Sequence, residues 1–226
     1  MAFVLLALVL AGGAVIGIAY LQRRARLARM NAVAAIGRTV GFTYSATDTD
    51  RIVSMPFVLF SKGQGRAVEC ILSGTHDGIP MRLFDYWYYD ETTDGRGNRS
   101  RQYHRFTCAL ATIPAACPRL QLGYENFLTR LGDHLGLSDV ELEYDDFNRR
   151  FRVKCDDQKF AFSLLDARMM EWLLGSASFA ALEIDGPWIL VAAEKLEPSK
   201  WLALGSWLQQ FHRQIPAVVY STYPPR

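Results

Sequence analysis

Ala2 to Tyr20 reads AFVLLALVLAGGAVIGIAY, nineteen positions without a charge. As a helix rising about 1.5 Å per residue, the run covers about 30 Å, the thickness of a bilayer's hydrocarbon layer. A helix is the one form in which a lone segment satisfies its own backbone groups there. Tyr20 falls where an interfacial aromatic is favoured. LQRRARLARM follows at once, with Arg23, Arg24, Arg26 and Arg29, and only the terminal amine is charged before the run. A cleaved signal would need its positive charge in front of the apolar core, and bulky Ile18 and Tyr20 crowd the small residues near Gly17. The pattern therefore predicts a retained transmembrane helix over residues 1–21 and a basic juxtamembrane helix over 22–37. The arginine bias places the remainder of the chain on the cytoplasmic side of an inner or plasma membrane. Arg23, Arg24, Arg26 and Arg29 are candidates for contact with anionic lipid headgroups, at about 1 kcal/mol each. Gly13 and Gly17 stand at GxxxG spacing, which suits close packing of two membrane helices and so a homodimer.

Beyond Gly37 the pattern changes to short alternating runs and turns. VGFTYS (40–45) reads as a first strand and Ala67–Leu72 as a second. Ile79–Tyr89 and Gln102–Thr112 read as two long strands joined by the polar loop DETTDGRGNRS. If that hairpin turns at Asp94-Gly95 with Gly95 at its centre, Asp85 lies opposite Arg105 and Tyr86 opposite His104. A carboxylate flanked by Leu83 and Trp87 is costly unless it is paired, so Asp85 and Arg105 form a candidate buried ion pair. Pro114 and Pro118 bracket an irregular segment, and 125–135 reads as a helix. Arg150–Cys155 reads as a strand and Lys159–Phe162 as its return. Ser163–Leu174 reads as a helix capped by Ser163. Asp185-Gly186 between two apolar runs is a hairpin signal. Pro198 opens a last helix with Trp201, Leu204, Leu208, Phe211 and Ile215 on one side. The tail 214–226 is expected to fray. The fold class expected is α+β: an N-terminal transmembrane helix, then an antiparallel sheet domain with packed helices over 38–213, divisible into related halves 38–137 and 138–213.

Composition narrows the function. The 226 residues are half hydrophobic, with a formal net charge of +2. This excludes a disordered tail, a collagen-like fibre and a disulfide-dense miniprotein. Residues 1–40 hold five arginines and no acid, leaving 20 basic against 23 acidic residues in the rest. A mildly acidic domain argues against nucleic acid as a partner and leaves the tether to hold it at the membrane. Cys70, Cys108, Cys117 and Cys155 have no zinc or redox spacing and read as buried free thiols. His76, His104, His134 and His212 show no metal-ligand spacing, and GxSxG, GxGxxG and P-loop patterns are missing. Glu141, Glu143, Asp145 and Asp146 lack the glycine and glutamate of a calcium loop. No catalytic residue, metal or cofactor is expected.

The segments AVECILSG, GIPMRLFDYWYY, TCALATIPAACPRLQL, FNRRFRV and FSLLDARMMEWLL together resemble a group of small bacterial membrane proteins, mostly actinobacterial. These pair an N-terminal membrane helix with a domain of unknown function. The resemblance covers most of residues 38–213 and implies an α+β domain at a membrane. It carries no catalytic residue to this chain. The expected function is a single-pass membrane protein whose domain is a non-catalytic adaptor for an unknown protein partner. The alternative is a module for membrane lipid or another small ligand, in the manner of a pleckstrin-homology-like domain, marked by an apolar pocket with a basic rim. A third reading, an enzyme, requires titratable groups clustered in a cleft.

Overall fold

The computed structural model describes residues 2–95, 97–125, 127–128, 137–176 and 181–225, with the side chains of 2–11 and 15 outside that description. Helix α1 (Ala2–Thr39) is one uninterrupted rod joining the two segments expected separately. Among the described residues no helix is long and apolar enough to cross a membrane. The expected span over 1–21 lies largely outside the residues whose side chains are described.

Among the described residues the chain then builds one antiparallel sheet from seven strands: β1 (Thr43–Thr47), β2 (Gly65–His76), β3 (Ile79–Thr93), β4 (Arg99–Gly123), β5 (Ser138–Asp139), β6 (Arg152–Cys155) and β7 (Ala181–Glu194). Its order is β1-β2-β3-β4-β6-β5, with β7 on the opposite edge of β4. The 25-residue β4 is the spine of the sheet and ties both expected halves into it. Helices α2 (Asp145–Arg150), α3 (Gln158–Leu164), α4 (Ala167–Ser176), α5 (Trp201–Gln214) and α6 (Ala217–Thr222) complete the domain. The architecture is α+β, an antiparallel sheet with packed helices.

Alternation along the strands divides the core in two. Met81, Leu83, Ala109, Ala111 and Val191 face Val33 of α1 and Leu204 and Leu208 of α5. Phe84, Tyr86, Tyr88, Phe106 and Leu190 face the short turns around Ile52 and Leu59. Of the expected helix 125–135, Phe127 and Leu128 are buried on that second face, and 129–135 lie outside the described residues.

Four expectations are corrected. The residues 158–176 form two helices capped by aspartates, since Asp157 accepts the Phe160 N–H and Asp166 the Met169 N–H; Ser163 lies inside the first. Lys159–Phe162 is helical, so no strand returns there. The tail is packed: Val219 is buried, and the Tyr223 hydroxyl donates to Asp157 at 2.9 Å.

Finally, Asp185-Gly186 makes no hairpin, because β7 runs straight through it. Gly186 has a left-handed φ of 55° and stands opposite Cys117, where the β4–β7 register shifts. Pro114 and Pro118 flank the same shift, which tolerates their missing N–H groups. The irregularity moves the apolar side from odd to even residues in β4 (Cys117, then Leu120) and from even to odd in β7 (Ile184, then Ile189), keeping both strands in register with the core. A Cβ added at 186 meets nothing within 4 Å among the described residues, so Gly186→Val tests chiefly the backbone term. It should cost about 1–2 kcal/mol in urea unfolding, with Gly186→Asn recovering most of it.

Candidate functional site

The site forms where α1 crosses the sheet. Val33 is fully buried, and Gly37 brings the helix so close that an added Cβ would lie 2.6 Å from a Leu72 methyl. Arg29, one turn before Val33, is on the same face and turns inward. Its Nε donates to Asp85 Oδ2 at 2.6 Å and its Nη2 to Asp85 Oδ1 at 2.8 Å, a bidentate pair. Nη2 also donates to the Leu196 carbonyl at 2.8 Å, and the guanidinium lies 5.8 Å from the ring centre of Trp201. On the sheet, the Thr107 hydroxyl donates to Asp85 at 3.2 Å and accepts the Leu196 N–H at 3.0 Å. Helix, sheet and the start of the connection to α5 thus meet on one carboxylate. Its side chain is 12% exposed and that of Arg29 15%.

Beside this latch, towards the N-terminal end of α1, lies a cleft of about 690 Å³. Gln22 and Ala25 of the helix form one wall. Trp87, Tyr103 and Phe106 line it from the hairpin of β3 and β4. Its acids are Glu69 and Asp85, and its cations Arg26, Arg29, Arg105 and Lys195. Both acids are engaged. Glu69 accepts the Trp87 indole N–H at 2.8 Å and meets Arg26 at 3.2 Å. Asp85 holds Arg29. Among the described residues no carboxylate pairs with Arg105 or Lys195. The Arg105 guanidinium lies over the Tyr103 ring at 5.2 Å. The Lys195 backbone N–H donates to the Arg105 carbonyl at 3.2 Å, placing the two residues opposite each other on neighbouring backbone segments. Partial burial, then the nearby Arg29 and Arg105, lower the Lys195 ammonium's pKa.

Cys70 also lines the cleft, in a β-bulge where it and Ile71 together oppose Phe84. Its φ of 55° is left-handed, and burial pushes its thiol pKa up. Burial does the same at Cys117, to about 12, at Cys155, to about 11, and at Cys108. All four are buried free thiols with little thiolate at neutral pH. Among the described residues no three metal-binding side chains converge.

The expected pairing of Asp85 with Arg105 is corrected. β3 and β4 pair Asp85 with Thr107 and Trp87 with Arg105, two residues from the symmetric register. The carboxylate's true partner comes from α1. Arg29 is thereby withdrawn from headgroup contact, and Arg26 is shared with Glu69 while two-thirds exposed. Arg23 and Arg24 are exposed. Gly13 and Gly17 are open, with nothing among the described residues within 4 Å of an added Cβ. Sequence reasoning missed Thr107, Glu69 and Lys195. None has a local signature, because the bulge and the pairings that gather them are long-range.

No family model matches the chain, and no curated protein does. Among solved structures it is similar to the crystal structure of the mycobacterial trehalose monomycolate transport factor A, TtfA, with a TM-score of 0.63 and 13% identity. The match covers 88% of this chain and 97% of that one. At this identity the likeness shows a shared fold: the α+β architecture is one that a solved structure also adopts.

Proposed function

We propose that this chain is a membrane-tethered, non-catalytic factor in lipid transport, and that the cleft beneath α1 receives an amphiphile. The observation that carries the reading is the cleft itself. Its volume suits a small ligand, and aromatic and cationic side chains share its walls. It opens within two helical turns of Tyr20, where the apolar run ends. A helix anchored by that run would set the cleft at headgroup depth. The Arg29–Asp85 pair would keep helix and sheet together as lipid enters. The solved neighbour is a trehalose monomycolate transport factor, which supports a role in lipid handling here. The arginine bias sets the domain on the cytoplasmic side, and Gly13 and Gly17 offer a face for a second copy.

The test uses Trp87, which lines the cleft. The full chain is reconstituted in phosphatidylcholine vesicles whose acyl chains carry bromine. The Trp87 signal, taken as native minus Trp87→Phe, should be quenched relative to unbrominated vesicles. An unchanged signal would sink the amphiphile reading. A second reading, an adaptor holding a protein partner, draws on Phe162 of α3 and Val218 of α6, two exposed apolar side chains. It predicts that Phe162→Asp abolishes partner capture while leaving the Trp87 signal intact.

A further inference from the structure

We infer that the cleft selects an amphiphile bearing a phosphate, with Lys195 and Arg105 as the pair that holds the anion. This deepens the proposed function and rests on its amphiphile reading.

The argument begins with charge. Six side chains charged at neutral pH line the cleft, and four are already engaged in the Arg29–Asp85 and Arg26–Glu69 pairs. The two remaining are both cations. They are held on neighbouring backbone segments by the bond between the Lys195 backbone N–H and the Arg105 carbonyl. Arg105 and Lys195 are both solvent-exposed at the rim of the cleft; like charges placed close together there repel each other, and an anion between them relieves the repulsion. A guanidinium and an ammonium converging on one recess suit phosphate oxygens: the first supplies a planar fork, the second a point charge. Neither has a carboxylate partner among the described residues, and the contact given for the Arg105 guanidinium is the face of Tyr103.

The rest of the cleft argues for a phosphate carried on a lipid. Trp87, Tyr103 and Phe106 supply an apolar surface that a free phosphate ion would not use. A polynucleotide is disfavoured, since the chain beyond residue 40 has 20 basic against 23 acidic residues.

The experiment measures equilibrium binding of three radiolabelled probes to the full chain in dodecyl maltoside, a phosphate-free detergent. Dioleoyl phosphatidylglycerol carries tails and phosphate, dioleoyl glycerol the tails alone, and inorganic phosphate the anion alone. Phosphatidylglycerol should bind saturably at one per chain. Each of the other probes should bind at least about ten-fold more weakly. The double variant Lys195→Gln/Arg105→Gln should lose at least about ten-fold in phosphatidylglycerol affinity, with the native Tm retained. If dioleoyl glycerol binds as well as phosphatidylglycerol and the variant binds like native, the anion assignment is overturned while the amphiphile cleft survives. If inorganic phosphate binds as tightly as the lipid, the site is one for free phosphate and the lipid assignment fails. If no probe binds, the amphiphile reading beneath the inference fails with it.

Discussion

Asp85→Ala should lower the unfolding free energy by about 2–4 kcal/mol. Removing one member of a buried ion pair typically costs about 3–5 kcal/mol, because the survivor is left charged and desolvated. Arg29 would keep the Leu196 carbonyl and the Trp201 face but lose both carboxylate bonds. Slight exposure of both side chains gives water some access, which places the estimate below the full penalty. Asp85→Asn keeps the shape and one acceptor, so it should fall between native and alanine. The double replacement Arg29→Met/Asp85→Leu should recover most of the loss, since it leaves no orphaned charge. The measurement is urea unfolding of the full chain in detergent, read as a shift in midpoint at constant slope. A shift within about 0.5 kcal/mol of native would mean that apolar packing around Val33 alone seats the helix. Lipid binding should weaken with the latch, because Gln22 and Ala25 leave the cleft wall when α1 lifts away.

That latch was only half visible in the residues. Asp85 announces itself as a carboxylate on an apolar strand that must have a partner. Choosing the partner requires the hairpin register, and register depends on the loop. A hairpin centred on Gly95 pairs residue 85 with 105. In the structure, Asp94 N–H bonds the Asn98 carbonyl and the Asp94 carboxylate accepts the Asn98 N–H. The loop therefore closes over residues 94–98, two residues further along in sum. A two-residue slip leaves every side chain on its face, so the core pattern reads correctly while the cross-strand partner does not. Arg29 carries a weak signal of its own: it precedes Val33 by one turn and Gly37 by two, on the stripe that meets the sheet. Beside three other arginines it reads as part of a charged collar. The hairpin expected at Asp185-Gly186 fails for a related reason. Asp-Gly reports a left-handed backbone, which a bulge in a continuous strand needs as much as a turn does. By contrast, the period-two alternation of β3 and the helical spacing of α5 each depend on one local face, and both are recovered.

The second large effect concerns Glu183, a fully buried carboxylate on the opposite side of the sheet from the cleft. It accepts the Val58 N–H at 2.7 Å and the Leu59 N–H at 3.0 Å, pinning the turn that covers Phe84 and Tyr86. Glu183→Ala should cost about 2–4 kcal/mol, since two buried backbone donors lose their acceptor at about 1–3 kcal/mol each and partly relax. The loss should depend on pH in a definite direction. Desolvation raises the Glu183 pKa above its ordinary value near 4.5, outweighing the hydrogen bonds that lower it. A carboxyl whose folded pKa exceeds its unfolded pKa contributes its full stability below the unfolded value and loses part of it as pH rises through the folded one. The difference between native and Glu183→Ala should therefore be largest near pH 4 and shrink towards pH 8. Urea midpoints across that range would measure it, and a difference that grows with pH would refute the assignment. Because the pinned turn and the cleft lie on opposite faces, a folded Glu183→Ala chain should bind phosphatidylglycerol like native, whereas Asp85→Ala should not. That contrast separates loss of the latch from general loss of stability.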